Sequence, residues 1–320
     1  MLVTETAEKI KNMEIRGAGR IARAAAEALR DHALSLKSAS NDDFRAEMRR
    51  AAKLLVETRP TAVSLPNAVH IVMAGHDAAK TSQEAKEGIV GRADSFIQSS
   101  RDAVHRIAEF GAHHIRDGDT ILTHCNSEAA LSCIIAAHQS GKKIEVYATE
   151  VRPGNQGLIT IRTLNDAGIK TNYIVDSAVR SFINDVDFVI VGADAVTVNG
   201  AVVNKIGTSQ VALIAHEARV NMLVAAETYK FAPRTVIGEL IKIEERPSTE
   251  LLSLEMALSL PNITVKNPVF DVTPPEYVDL IITETGAIPP QMAYVIIREY
   301  LGWGIEEFHK TFEFNQPHDE

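Results

Sequence analysis

Two residues stand out for what they could do to a proton, the thiol of Cys125 and the carboxyl of Asp194. Cys125 lies in D-T-I-L-T-H-C-N-S-E-A-A at 119–130, where a short apolar run turns a polar corner into an alanine-rich stretch. A thiol there sits at the carboxyl end of a strand, beside the first amides of a helix. Parallel α/β sheets place ligands at that edge, and an oriented helix terminus favours a thiolate. The plainer alternative is a small buried hydrophobe, as most free cysteines are. Asp194 closes V-I-V-G-A-D, a strand ending in a carboxylate after two small residues. Apolar flanks raise a carboxyl pKa by desolvation, which suits a general acid. An aspartate there also suits a turn or a helix cap.

Cations and small residues recur near these two. R-G-A-G-R at 16–20 precedes a helical pattern. Gly17, Ala18 and Gly19 let backbone amides approach an anion, and Arg16 can add a bidentate contact. The stretch is not G-x-G-x-x-G and no strand precedes it, so the dinucleotide fingerprint fails its context; an ordinary turn between helices fits the same residues. Arg59 stands in a loop before Pro60. Arg152 and Gln156, in E-V-R-P-G-N-Q-G, follow a strand and precede a helix, and would face the ligand edge or cap that helix. Asn204 and Lys205 open N-K-I-G-T, and Lys230 closes E-T-Y-K after another strand. Either lysine can hold a phosphate, and Lys205 can polarise a carbonyl. His124 adjoins Cys125, but neighbours in a strand point to opposite faces, which argues against a thiolate–imidazole pair. Cys133, among Leu131, Ile134 and Ile135, reads as core. The histidines show no H-E-x-x-H spacing, and there is no P-loop or G-x-S-x-G elbow.

The elements that must position these groups fall into two kinds. Residues 4–115 carry helical periodicity: apolar positions at Ala7, Ile10 and Met13, then Ile21, Ala24, Ala25, Ala28 and Leu29. Helices are predicted over 20–36, 44–57 (capped from Asn41-Asp42-Asp43), 67–74 and 82–114. After Asp117-Gly118-Asp119 the rhythm changes. Short apolar strands are predicted at 120–123, 144–149, 171–175, 188–191, 222–226 and 280–283. Helical stretches separate most of them, at 128–140, 156–167, 179–184, 208–217 and 291–300. That alternation implies a parallel sheet covered on both faces. Asn199-Gly200 between two β-rich runs signals a type I′ hairpin. Residues 231–264 are mixed and receive no assignment. The expected organisation is a helical domain over 1–115 and an α/β domain over 116–320.

The totals fit this reading. The chain has 320 residues, 45% apolar and 23% charged, as expected of a globular protein with a sizeable core. A net charge of -9 argues against a general nucleic-acid surface but not against a local phosphate pocket. Two cysteines without a C-x-x-C pair give no disulfide framework or thiolate zinc site. The first ten residues lack a signal pattern and no run is long enough to span a membrane, so a cytoplasmic protein is expected.

The ordered motifs R-G-A-G, E-T-R-P-T, T-H-C-N-S, R-P-G-N-Q-G, G-A-D, N-G-A-V-V-N-K-I-G-T, A-A-E-T-Y-K-F and F-D-V-T-P-P-E-Y-V-D resemble one superfamily. It joins sugar-phosphate aldose-ketose isomerases to the regulatory subunits of initiation factor 2B. The resemblance runs from Lys9 to about Trp303. R-G-A-G with T-A-V-S-L-P-N is similar to the archaeal ribose 1,5-bisphosphate isomerase branch, whereas methylthioribose-1-phosphate isomerases carry R-G-A-P. The resemblance implies an N-terminal helical domain, a Rossmann-like domain with a mainly parallel sheet, and a hexamer built from dimers. It implies conversion of ribose 1,5-bisphosphate to ribulose 1,5-bisphosphate, between an AMP phosphorylase and a type III Rubisco, with AMP as an activator in some relatives. Substrate contacts carry over to Arg16 through Gly19, Arg59, Ser127, Asn204, Lys205 and Lys230. The residue after Ser127 is Glu128, where the family pattern implies lysine, so a phosphate contact there falls to the backbone amide. Cys125 as thiolate would take the C2 proton, and protonated Asp194 would serve the ring oxygen and then O2. That chemistry calls for no metal or redox cofactor. The same motifs leave open a methylthioribose-1-phosphate isomerase, or a non-catalytic binding subunit of the initiation-factor type.

Overall fold

A computed structural model describes residues 3–37, 40–59 and 63–302. Pro60, Thr61 and Ala62 of the E-T-R-P-T-A-V loop lie outside the described residues, as do Met1, Leu2 and everything from Trp303 onward.

Five helices come first: α1 (Val3–Lys11), α2 (Ala18–Ser35), α3 (Asn41–Thr58), α4 (Ser64–Met73) and α5 (Ser82–His114). Their 3.6-residue apolar spacing is used as expected. Ile21, Ala22, Ala25, Ala28 and Leu29 of α2 are buried, and α2 packs on α4 and α5. Alanine on that face lets the axes approach closely. Ser40 caps α3 by accepting from the Asp43 amide, so the cap lies one residue before the Asn41-Asp42-Asp43 cluster. Asp42 and Asp43 fall in the first turn, where the helix dipole favours acids.

The α/β part follows as β1 (Thr120–Thr123), α6 (Glu128–Gln139), β2 (Glu145–Thr149), α7 (Gly157–Asp166), β3 (Lys170–Ile174), α8 (Val179–Phe182) and β4 (Phe188–Gly192). Then come β5 (Ala195–Val196), β6 (Val202–Lys205), α9 (Thr208–Ala218), β7 (Asn221–Ala225), α10 (Leu254–Ser259), β8 (Phe270–Thr273), β9 (Leu280–Thr283), β10 (Gly286–Ile288) and α11 (Ala293–Tyr300). The large sheet has the order β10-β9-β7-β4-β1-β2-β3. It is parallel except for β10, an antiparallel edge strand on β9. Side-chain alternation splits its strands between two cores. Leu122, Val189, Val191, Val224 and Ile281 join the core shared with α1–α5. Ile121, Val146, Ile190, Leu223 and Ile282 join the core under α6.

One sequence expectation needs correction, and one unassigned segment gains its elements. The Asn199-Gly200 hairpin is not a two-residue type I′ turn: β5 and β6 pair through Val196 and Val202 across a longer loop. Within that loop only Gly200 has positive φ, +84°, and its amide closes a turn on Thr197. The strands form their own small sheet with β8, in the order β5-β6-β8. The unassigned 231–264 segment holds 3₁₀ turns at Pro233–Ile237 and Ser248–Glu250 together with α10.

Strand order reverses beside β1. Successive strands run outward to β2 and β3 on one side, and to β4, β7 and β9 on the other. Loops leaving β1 and β4 therefore diverge and open a crevice at the carboxyl edge, the place where such sheets bind ligands. Cys125 follows β1 and Asp194 follows β4.

Candidate active site

The corner that carries Cys125 is strained. Its φ is +70°, a left-handed conformation that costs a non-glycine residue of order 1–3 kcal/mol. Neighbouring structure holds it there: the buried Thr160 of α7 donates its hydroxyl to the Cys125 carbonyl at 2.9 Å. Ser127 then caps α6 by accepting from the Ala130 amide at 3.3 Å. It fits because Gly192, at the end of β4, has no side chain. A Cβ there would lie 2.2 Å from the serine Oγ. The glycine of V-I-V-G-A-D is thus the space into which the neighbouring strand's corner packs.

Asp194 is tied to β6 through its amide, which donates to the Val203 carbonyl. Asp194 lines a cleft with Ala18, Arg59, Ser64, Val203 and Phe270. The start of α2 therefore meets the small sheet at this point. Gly17, with φ +87°, precedes α2 and offers no side-chain cap, which leaves the first amides of that helix free of one. Ser64 donates to the Ala18 carbonyl at 3.1 Å and joins α4 to this turn. Arg59 reaches in from the end of α3 and pairs with Glu244 at 3.1 Å.

The electrostatics differ between the two proton-bearing groups. Burial raises the Asp194 pKa, and Glu227 adds to the effect, while Lys230, Lys205 and Arg59 oppose it without cancelling it. The carboxyl is therefore biased toward the protonated form, as the apolar flanks led us to expect. Cys125 departs from expectation. Burial pushes its thiol up to about 11; Lys205 pulls it down, and Asp194 pushes it further up. Burial is the largest influence on this thiol, so its position at the start of α6 does not by itself make it a resting thiolate.

Lys205 ends β6 with its ammonium 5.2 Å from the Phe270 ring centre, close enough to Cys125 and Asp194 to act on both. Asn204 is buried and donates to Thr208 at 3.0 Å, and Thr208 in turn donates to the Lys205 carbonyl at 2.6 Å. This clamp fixes the lysine's backbone. Lys230 is also buried, in an ion pair with buried Glu227 at 2.6 Å. Burial opposes the glutamate's charge, but Lys230 and the Tyr229 hydroxyl more than offset it and hold its pKa below the ordinary value.

Glu227 was not singled out from the sequence, and it anchors a directional chain. Arg23 donates to Ser100 at 3.1 Å; Ser100 and Tyr229 hydroxyls lie 3.0 Å apart; Tyr229 donates to Glu227 at 3.0 Å. Gly19 brings R-G-A-G up against this chain, since a Cβ there would come within 2.9 Å of the Tyr229 hydroxyl. Asn67 of α4 donates to the Tyr229 and Phe231 carbonyls, at 2.9 and 2.8 Å, and fixes the backbone on either side of Lys230. The signal was available: A-A-E-T-Y-K puts a carboxylate just past a strand, as V-I-V-G-A-D does. Asp271, also unassigned from sequence, accepts from the Gly207 and Ser209 amides and closes the start of α9. Burial raises its pKa to about 6.

The remaining expected contacts are peripheral. Arg16 is exposed and donates to the Met13 carbonyl at 2.6 Å. Glu128 is exposed and lies 3.5 Å from Arg23. Arg152 is exposed, next to a cis bond to Pro153, with its amide on Asp176. Gln156 occupies the cap position of α7 without a side-chain cap bond, so the capping alternative fails there. Cys133 is fully buried, its thiol on the Ile107 and Ala129 carbonyls, as a core residue should be.

A doubly covered, mainly parallel sheet brings an acid, a thiol and three cations together around its switch point on a Rossmann-like fold. The chain belongs to the initiation factor 2 subunit family, whose model matches residues 14–290. It is 56% identical over 302 residues to a ribose 1,5-bisphosphate isomerase of Methanocaldococcus jannaschii, covering 94% of this chain and 96% of that protein. Among solved structures it is similar to a Pyrococcus horikoshii OT3 translation initiation factor eIF-2B, with TM-score 0.78 and 33% identity over 90% of this chain and 97% of the other. It is also similar to 5-methylthioribose 1-phosphate isomerase from the same organism, with TM-score 0.75 and 30% identity over 98% and 88% of the two chains.

Proposed function

We propose that the chain is an aldose-ketose isomerase converting ribose 1,5-bisphosphate to ribulose 1,5-bisphosphate, with Cys125 and Asp194 as its proton-transfer pair. The observation that carries this is their placement. They follow the two strands that flank the strand-order reversal, with a carboxyl biased toward protonation and a thiol within reach of the Lys205 charge. The 56% identity to a relative of that name supports the substrate.

The chemistry balances with these two groups. Asp194 gives its proton to the ring oxygen as the C1–O bond breaks, while the Cys125 thiolate takes the C2 proton. The electron pair from C2 forms the C1–C2 double bond and O1 keeps its phosphate. Asp194, now a carboxylate, then takes the O2 proton, and Cys125 returns its proton to C1. Acid and base end as they began. The thiolate is the minor form at rest, so forming it is part of the barrier. The amides at Gly17, Ala18 and Gly19, with Arg16, Arg59, Ser127, Asn204, Lys205 and Lys230, form the phosphate- and hydroxyl-binding set. Glu128, Arg152 and Gln156 complete its rim. Residues 1–115 act as a helical domain that covers one side of the site, and 116–320 as the catalytic domain.

The enzyme works in the cytoplasm as a homo-oligomer, for which the family resemblance suggests six copies. Exposed apolar residues between 237 and 263, Leu240, Leu254, Leu258 and Ile263 among them, support an assembled state. Among the described residues no helix is long and apolar enough to cross a membrane. The reading places the enzyme between AMP breakdown and a type III Rubisco, with AMP as an activator. The test is product formation from ribose 1,5-bisphosphate and from methylthioribose 1-phosphate, each with and without AMP. Turnover of the bisphosphate is expected; turnover of the methylthio sugar alone, or of neither, overturns the proposal.

A further inference from the structure

His124 is spent on neither substrate nor thiol, yet it is buried between the Cys125 corner and the 205–207 segment. Its Nδ1 lies 2.7 Å from the Thr149 hydroxyl and its Nε2 2.9 Å from the Ile206 carbonyl. A carbonyl only accepts, so Nε2 carries the proton. With the ring neutral, Nδ1 accepts from Thr149, and both hydrogen bonds are satisfied by a single tautomer. Burial holds the imidazole pKa below its ordinary value; the Ile206 carbonyl and Asp176 oppose that, and Lys205 adds to it. The Asp176 carboxylate lies 3.8 Å from Nδ1, but its oxygens are engaged by the Val151 and Arg152 amides.

The backbone around the ring is shaped to receive it. Gly207, next to Ile206, has φ +102°, and a Cβ there would sit 2.9 Å from the imidazole Cε1 and 3.0 Å from Nε2. His124 thus bridges two segments from different sheets: the residue after it is Cys125, and the residue before its carbonyl partner is Lys205. We propose that His124 is a positioning residue, a neutral strut between the end of β1 and the 205–207 segment that keeps the Lys205 ammonium within electrostatic reach of the Cys125 thiol. This rests on the reading of Cys125 as the base, but the geometry it describes exists in the free protein.

The groups that face the thiol are Lys205 from β6, Asp194 after β4, Asp176 after β3 and the Asn126 amide. Lys205 is the cation of that set, so releasing it leaves the Asn126 amide alone against the acidic neighbours. Alkylation of Cys125 by iodoacetamide, followed peptide by peptide in the full-length protein across pH 7–10, reads this directly and needs no turnover. His124→Leu is expected to slow alkylation about tenfold at each pH, the consequence of a one-unit rise in the thiol pKa. His124→Gln, which keeps a donor near the Nε2 position, is expected to stay within about twofold of wild type, as one pKa unit would be tenfold. Should His124→Leu fail to fold, Thr149→Val removes the Nδ1 partner while keeping shape, and is expected to slow alkylation at least threefold. A folded His124→Leu, or Thr149→Val in its place, that alkylates at the wild-type rate or faster overturns the proposal, as does a glutamine variant as slow as leucine. Absence of isomerase activity in wild type would instead count against the function proposed above, and leaves the alkylation result standing.

Discussion

The pH dependence of the Cys125 thiol is where structure and simple expectation part most sharply. A thiol at a helix start would ordinarily titrate at or below about 8.5, so its reactivity would level off soon above pH 8. Here burial lifts it to about 11. At pH 8 it then lies about three units below its pKa, so roughly one thiol in a thousand is ionised, a difference of about 4 kcal/mol between the two forms. The folded protein holds the proton more tightly than an exposed cysteine does, so thiolate increases with pH throughout the accessible range. Iodoacetamide reacts with the thiolate, so its second-order rate constant at Cys125 should climb about tenfold per pH unit from 7 to 10, with no plateau. The logarithm of kcat/KM should rise with similar slope until Asp194 loses its proton. Cys133, pushed up to about 12 and enclosed by protein, serves as a silent internal control. A plateau in Cys125 alkylation below pH 9 would mean a resting thiolate, and would return the credit to the α6 terminus.

Two further perturbations probe the support around the pair. Gly192→Ala sets a Cβ 2.2 Å from the Ser127 Oγ and 2.5 Å from its Cβ; overpacking costs about 1–3 kcal/mol and a lost cap about 1 kcal/mol. We expect a lower urea midpoint at unchanged slope together with a fall in kcat/KM, and a wild-type midpoint would show that the corner is looser than described. Glu227→Gln leaves the buried Lys230 without its counter-charge, and breaking such a pair costs about 3–5 kcal/mol. It should also relieve the glutamate's push on the Asp194 pKa, so a variant with wild-type stability would argue that Lys230 reaches solvent.

Much of the fold was legible because periodicity carries it. The predicted bounds of β1, β9 and α5 coincide with the observed ones, since each is an unbroken run of one rhythm between strong stop signals. Cys125 and Asp194 were legible for a related reason: a reactive group just past an apolar strand falls on the ligand edge whatever the strand order. What was missed depends on partners distant in sequence. β8 is four residues that become a strand by pairing with β6, and β10 is three residues on the far edge. Glu227 looked like any polar residue in A-A-E-T-Y-K, because its role needs Ser100 and Arg23 of the helical region to reach Tyr229. The thiol's raised pKa was missed because a sequence shows the helix start beside Cys125 but not the protein that closes around it. His124 was set aside by alternation along a strand, but β1 ends at Thr123 and Cys125 is left-handed; the contacts that matter for His124 are Thr149 and Ile206, distant in sequence.

The most direct measurement of the central claim follows ribose 1,5-bisphosphate to ribulose 1,5-bisphosphate with purified wild type, Cys125→Ser and Asp194→Asn, alongside equilibrium binding of the substrate to each. Wild type should form the ketose; both variants should bind the bisphosphate within a few-fold of wild type while turnover falls about 10²–10⁴-fold, the range typical of losing a positioned acid or base. Near-normal turnover by either folded variant would contradict the assignment of the proton transfers to this pair.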